Sequence, residues 1–351
     1  ATDGQSIAKG ILIEGQSTNL FNYSEEFQNG YWNINDVTRF SNVAIAPNGE
    51  LAADMIVADS TGSAGIHYLG KSYPFTSGNT YTFSVYVKGV NSTEFTLQGG
   101  NTSTYAAATQ FNLTGAGSIT NTSVGSATIE SVSNGWYRVS VTGTALATAS
   151  TNTMFKLISG GTGTFIGDDF SGVLLWGAML EEGASHPSSY LKVEGSTATR
   201  AADSLSVATA DIGYTGGPMT LVTDTTVSDP TSSNYHAAAY VFVDSNNAAG
   251  IWATSADNRI ARVETGGVGG NVGTNSGVNG KAALSIDTND IAVCLNGGAV
   301  ATDTSHALAD FGSATLYIGN NNSAYHLNGH IKRLSIYSEP LSSTNLISLT
   351  S

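Results

Sequence analysis

Two adjacent carboxylates, Asp168 and Asp169, stand in the Gly-rich turn sequence GTGTFIGDDFSG. Oxygen-rich loops of this kind suit hard cations, so the pair is a candidate calcium site. The alternative is a solvated turn. Glu14 and Glu25 would join such a site only where the fold brought them close. A different chemistry needs an aromatic face beside polar groups, the combination that holds a sugar ring. Trp32, Tyr68, Tyr86, Trp136, Trp176 and Trp252 are the aromatic candidates, most of them expected in the core. Tyr86 stands apart because it interrupts the polar face of an alternating segment, although packing against a second layer would explain it as well. His67 and Arg138 are candidate polar partners, and Trp252 is the candidate in the second half.

Other chemistries lack their residues. Glycoside hydrolysis needs two carboxylates about 5–9 Å apart in space, and the Glu-x-Asp-x-x-Glu spacing of sandwich-fold glycanases is missing, so no catalytic residue is assigned and the chain is read as a non-enzyme. His326 and His330 have helical spacing for a metal, but Asn328-Gly329 breaks the segment and no His-Glu-x-x-His occurs. Gly280-Lys281 ends a glycine-rich run, yet Asn275 and Ala282 occupy the positions where a phosphate loop needs Gly and Ser or Thr. The single cysteine, Cys294, lies within IAVCL and is expected as buried filler.

The elements that must carry these residues read as strands. TYTFSVYVK (80–88) alternates strictly, with Tyr81, Phe83, Val85 and Val87 on one face. NGWYRVSVT (134–142) opens with an Asn-Gly turn and alternates through Tyr137, Val139 and Val141. VLLWGAML (173–180) is an apolar strand. Ser24 before Glu25, Glu26 and Phe27 reads as the cap of one helical turn. A weaker strand is expected over 105–113. The second half repeats the pattern at 218–228, 236–243, 258–264, 281–287, 290–296 and 314–319. Its last strand, 331–337, loses alternation between Ile331 and Leu334, as at a bulge or a sheet edge. The glycine-rich 266–280 reads either as a mobile loop or as narrow strands with exposed tips. Residues 181–203 are polar, lack a core pattern and read as a connector.

Composition agrees. Only 11% of the 351 residues are charged, against about 25% in ordinary globular domains. A surface covered by Ser, Thr, Asn and Gly suits short strands better than long wet helices. The net charge is −14, with 15 acidic residues before Arg200 and 12 from there onward. Both halves therefore repel nucleic acid and anionic membranes. No apolar run reaches membrane-spanning length, and ATDGQSIAKG has neither the basic nor the apolar part of a secretory leader.

The run ILIEGQSTNLFNYSEEFQNGYW (11–32) resembles the opening of a phage structural-protein module, with Ile13-Glu14, Thr18 to Leu20, Tyr23 to Glu25, Phe27 and Trp32 in the pattern positions. The likeness continues at 134–142 and in WGAMLEEGASHPSSYLKVEGSTATRAAD (176–203). That module is similar to carbohydrate-binding jelly rolls of phage tail and head fibres. In the second half, Gly329 to Ile331, Leu334 to Tyr337 and Leu341-Ser342 resemble the closing segment of concanavalin-like or laminin-G-like domains. The resemblance implies an all-β chain of two tandem antiparallel β-sandwich domains of jelly-roll type, residues 1–195 and 196–351. It implies a virion-surface structural component on capsid or tail that contacts other virion proteins. The same likeness suggests a homo-oligomer, with a trimer as the family form, and attachment to a host-surface glycan. No cofactor is required, and a structural calcium is the one candidate ion. Membrane insertion and nucleic-acid binding are not expected. The rival reading is a secreted glycan-binding or glycan-cleaving protein.

Overall fold

The computed structural model describes residues 9–101, 104–105, 108–122, 125–228, 235–254, 258–305, 311–322 and 324–351, leaving aside the side chains of 274–276. Residues 1–8 of the expected leader-free terminus and residues 106–107 of the expected 105–113 strand lie outside them. The chain is all-β with two compact units, one comprising Ser17–Arg200 and the other Ala1–Gln16 with Ala201–Ser351.

The first unit is a sandwich of two antiparallel six-stranded sheets. Sheet 1 runs in the order Ser118–Thr122, Ala108–Asn112, Glu94–Gln98, Ala149–Leu157, Tyr68–Phe75, Asn33–Asn35. Sheet 2 runs Ser126–Ser131, Tyr137–Thr144, Thr80–Val90, Gly172–Glu182, Leu51–Ala58, Val37–Ile45. The alternation in Thr80–Val90 does what it predicts: Tyr81, Phe83, Val85 and Val87 all face the inter-sheet core and are fully buried. That core is closed at one end by an aromatic knot. Trp32 meets Phe21, Phe27, Tyr31 and Phe155 with ring centroids 5.0–5.5 Å apart.

The second unit is another sandwich. Sheet 3 runs Ile11–Ile13, Gly329–Tyr337, Met219–Val227, Gly280–Asp287, Asp290–Leu295, Ala301–Asp303. Sheet 4 runs Ser206–Ala208, Thr315–Ile318, His236–Asp244, Asn247–Thr254, Asn258–Thr265, Val268–Ser276. Its core holds Leu221, Leu284, Ile251, Val263, Phe311 and Leu316, with Ile13 added from the N-terminal strand. Arg259 is buried within this unit, where it donates to the carbonyls of Gly280, Val278 and Thr225. Burial lowers its pKa to about 10, so it stays protonated at neutral pH.

Several expectations change. The boundary falls after Arg200 instead of at 195/196, because Ala198–Arg200 pairs with Ser17–Asn19 and so belongs to the first sandwich. Residues 11–13 leave the first unit, since Ile11, Leu12 and Ile13 pair with Ile331, His330 and Gly329. The expected connector 181–203 is largely structural, for Glu181 and Glu182 end the central Gly172–Glu182 strand. Ser24 caps no helix: its hydroxyl lies 2.7 Å from the Tyr190 hydroxyl, and its backbone N–H donates to the Val193 carbonyl. Lys332 is the extra residue of a bulge, because Thr225 faces Ile331 while Asp224 faces Arg333. The final strand is therefore bulged and interior to its sheet. The glycine-rich run forms the edge strand Val268–Ser276.

Three outer sheet faces carry apolar clusters of their own. On sheet 2, Trp136, Trp176, Leu174 and Ala53 are covered by the returning segment that carries Tyr190. On sheet 3, Val222, Ala283, Ala292 and Cys294 are covered by the helix Ser343–Thr350 through fully buried Leu346. Ser342 caps that helix by accepting from the Asn345 N–H. Cys294 is buried filler, as expected. The third cluster, on sheet 4, comprises Ala237, Trp252, Ile260 and half-buried Tyr240.

Phe83 is central to the first core, touching Phe21 and Phe155 at 5.7 and 5.1 Å. Replacing Phe83 by Ala will cost about 3–5 kcal/mol in urea unfolding. A loss below about 1 kcal/mol would be incompatible with a fully buried position.

Candidate functional site

The uncovered patch on sheet 4 is built by register. Four consecutive strands form a meander, so their outward positions line up in rows. One row is Ala237, Trp252 and Ile260. The next is Tyr240, Gly250, Arg262 and Asn271. The third is Phe242, Ala248, Glu264 and Gly269. Small residues thus occupy the middle of a field of large ones, and a hollow results.

At two of these small positions a Cβ would press on its neighbours. A Cβ at Gly250 would lie 2.9 Å from the Tyr240 ring and 3.0 Å from Trp252 Nε1. A Cβ at Gly269 would lie 2.6 Å from Glu264 Cγ and 2.8 Å from Arg262 Nη2. Of the two readings of 266–280 the structure shows a strand, and at Gly269 side chains of the neighbouring strand lie across it.

The hollow is a cavity of about 300 Å³ lined by Tyr235, Tyr240, Trp252, Arg262, Glu264 and Tyr325, with Asn271 and Asn321 adding amides. That volume lies at the lower end of small-ligand sites, roughly 300–1,000 Å³. Trp252 forms the floor, with Tyr240, Tyr325 and Tyr235 edge-on to it at 5.2, 6.0 and 6.4 Å. Tyr235 and Tyr325 are each 48% exposed, so two aromatic faces are offered to solvent. Tyr325 adopts φ +49°, a left-handed conformation costing a bulky residue about 1–2 kcal/mol. Its carbonyl accepts from the Ala237 N–H at 2.9 Å, which holds it there. Among the described residues the Trp252 Nε1 and Asn321 Oδ1 atoms have no hydrogen-bond partner. Arg262 donates through Nε and Nη2 to Glu264 Oε1 at 3.0 and 2.6 Å. Burial, reinforced by the Glu264 carboxylate, pushes the Tyr240 hydroxyl up to about 12, so it is a protonated donor at neutral pH.

Of the residues singled out in sequence, Trp252 lines this cavity. Tyr86, His67, Arg138, Asp168 and Asp169 sit elsewhere, in the first sandwich. Tyr86 is half-buried among Trp176 and Tyr190 at 5.2 and 6.4 Å, with the Arg138 guanidinium 5.4 Å over its ring. Arg138 donates to the Ser188 carbonyl and so helps hold the covering segment. Tyr86 therefore packs against a second layer. His67 is buried, its two ring nitrogens 2.6 and 3.0 Å from the carbonyl oxygens of Asp36 and Phe165. It contacts neither Tyr86 nor solvent, because it precedes a strand of the opposite sheet. Asp168 accepts from the Phe170 and Ser171 N–H groups and the Ser171 hydroxyl, and these bonds lower its pKa. Asp169, at φ +60°, accepts from the Ser60 N–H. Both carboxylates shape the turn, and among the described residues no three His, Cys, Asp or Glu side chains gather as a metal site. Glu25 is occupied by Tyr190 and Lys192, and Glu14 belongs to the other unit.

Tyr235, Tyr240, Tyr325, Arg262 and Glu264 escaped the sequence reading. A signal existed in NRIARVE (258–264), where Ile260, Arg262 and Glu264 alternate with Ala261 and Val263. That strand carries charge on a face its neighbours fill with aromatics.

Sequence motifs 11–32 and 176–203 meet in the first sandwich as a latch. Asn19 Nδ2 donates to the Ala178 and Leu191 carbonyls, and Asn19 Oδ1 accepts from Phe21 and Leu180. Buried Glu181 accepts from the Ser17 and Ser188 hydroxyls and the Ser188 N–H.

No protein-family model matches the chain, and no curated protein sequence matches it. Similar solved structures include the CBM40 module of the Ruminococcus gnavus IT-sialidase bound to alpha2,3 sialyllactose, with TM-score 0.35 and 19% identity over 40% of this chain and 87% of that one. Domains LG4-5 of the mouse laminin alpha1 chain give TM-score 0.27 and 11% identity over 80% and 90%. The LG1-3 region of the laminin alpha2 chain gives 0.30 and 11% over 80% and 66%. These are likenesses of strand arrangement and of nothing finer. Among the described residues no helix is long and apolar enough to cross a membrane.

Burial raises the Glu181 pKa above its ordinary value, opposed by its serine bonds and by Arg138. A carboxyl whose folded pKa is raised stabilises fully below the unfolded pKa, and that contribution is lost as pH rises through the folded one. Relative to Glu181→Gln, the natural protein will therefore lose melting temperature as pH rises from 4 to 7. A pH-independent difference between the two would refute the burial effect.

Proposed function

We propose that this chain is a non-enzymatic glycan-binding attachment protein, carried on the surface of a phage particle among other virion proteins. The observation that carries the glycan reading is the aromatic cavity of sheet 4. Two exposed tyrosine faces suit the apolar face of a pyranose, and Tyr240, Arg262, Glu264, Asn271 and Asn321 supply groups for its hydroxyls. A non-catalytic role is supported by the lining itself, in which, among the described residues, Glu264 is the one carboxylate and is engaged by Arg262. Hydrolysis would need a second carboxylate facing it. No cofactor is needed for this role.

The phage placement rests on the sequence motifs at 11–32, 134–142 and 176–203. A shallow cavity binds weakly, and many copies on a particle or a homo-oligomer, a trimer in the resembled family, would raise avidity by mass action. A secreted glycan-binding protein would use the same cavity, and the two differ in where the chain is found.

A glycan array probed with the full chain will show binding that falls at least tenfold in Tyr235→Ala and in Tyr325→Ala. Tyr86→Ala, in the closed patch of the other sandwich, will retain it. Equal loss in all three variants, or no bound glycan, would remove the cavity from the account. Mass spectrometry of purified particles will contain the chain if it is a virion protein, and its absence from them would leave the secreted reading.

A further inference from the structure

We propose that the Arg262–Glu264 pair sets the charge selectivity of the sheet 4 cavity and restricts it to uncharged saccharides. This rests on reading the cavity as a glycan site. An unengaged arginine in an aromatic pocket is a receptor for carboxylate or phosphate, because its planar fork takes an anion bidentately. Here one edge of the fork, Nε with Nη2, is already taken. Nε and Nη2 both donate to Glu264 Oε1, and Nη1 reaches only a long 3.4 Å contact with Asn271 Oδ1. Among the described residues the lining thus carries one positive and one negative group, joined at 2.6 Å.

This pairing is a built feature. Gly250 separates Tyr240 from Arg262 along one row. Gly269 lies under the pair, where any Cβ would strike both Arg262 Nη2 and the Glu264 side chain. The remaining polar groups are the Tyr240 hydroxyl, a partly engaged guanidinium edge, a carboxylate and two amides. These mixed donors and acceptors match sugar hydroxyls, each of which both donates and accepts. A net charge of −14 over the chain adds repulsion against anionic ligands.

The test uses the full chain and saturation-transfer NMR titrations. The probes are the methyl glycosides of glucose, galactose, mannose, N-acetylglucosamine and N-acetylgalactosamine, set against methyl glucuronide and methyl galacturonide. At least one neutral glycoside will bind at least tenfold tighter than either uronide. In Glu264→Gln, which releases the guanidinium fork, the affinity for a uronide relative to that for the neutral ligand will rise at least tenfold. Gly269→Ala, which displaces the pair without altering charge, will shift the ratio in the same direction by a smaller factor. Uronide binding equal to or tighter than neutral binding in the natural chain overturns the selectivity and leaves the cavity as a glycan site. An unchanged ratio in a folded Glu264→Gln chain does the same. Binding of no glycoside, neutral or acidic, overturns both readings.

Discussion

A β-sheet has two faces, and a sandwich buries only one face of each sheet. In this protein the outer faces also carry large apolar residues, and what becomes of that extra surface governs everything else. Burying a tryptophan or leucine side chain stabilises by about 1.5–3 kcal/mol, so leaving such clusters wet is costly. On sheet 2 the chain returns over Trp136 and Trp176, bringing Tyr190 onto the patch. On sheet 3 the terminal helix drops Leu346 onto Cys294 and its neighbours. On sheet 4 the cluster around Trp252 is left as a lined hollow.

The closed patches explain the sequence motifs in physical terms. Ser24, Glu25 and Tyr190 are linked through their side chains, as are Glu181 and Ser188, whose carbonyl accepts from Arg138, while Asn19 bonds the Ala178 and Leu191 carbonyls. Their task is to hold the segment after Gly183 against sheet 2. A buried carboxylate in such a latch is tolerated because three donors converge on it, although its desolvation still raises its pKa. Motifs that resemble those of a sugar-binding module therefore build a closure, and the open aromatic surface lies in the other sandwich.

The hollow itself depends on what is missing from its middle. Gly250 and Ala248 share one strand, Gly269 sits two strands away in the row of Ala248, and large residues lie beside all three. Tyr325 is held in a left-handed conformation at its rim, a strain that the surrounding hydrogen bonds sustain. Gly269, which vacates space, also seats the ion pair.

Much of this was legible in the residues. Strict alternation in 80–88 determined which side chains face the core. The Asn-Gly pairs at 134–135 and 296–297 determined turns, since both residues of each take positive φ. Low charge and abundant Ser, Thr and Gly determined an all-β chain. These are local properties, set by a period of two and by backbone sterics. Tertiary structure alone decided where the first sandwich ends, because the pairing of 17–19 with 198–200 spans nearly the whole unit. It decided that Tyr86 would be covered and Trp252 left at an open hollow, although both are aromatics on outward faces of alternating strands. It brought Tyr235 and Tyr325 together across some ninety residues, a proximity that no periodicity encodes. Alternation says which face a side chain takes; only long-range packing says what, if anything, lies against that face.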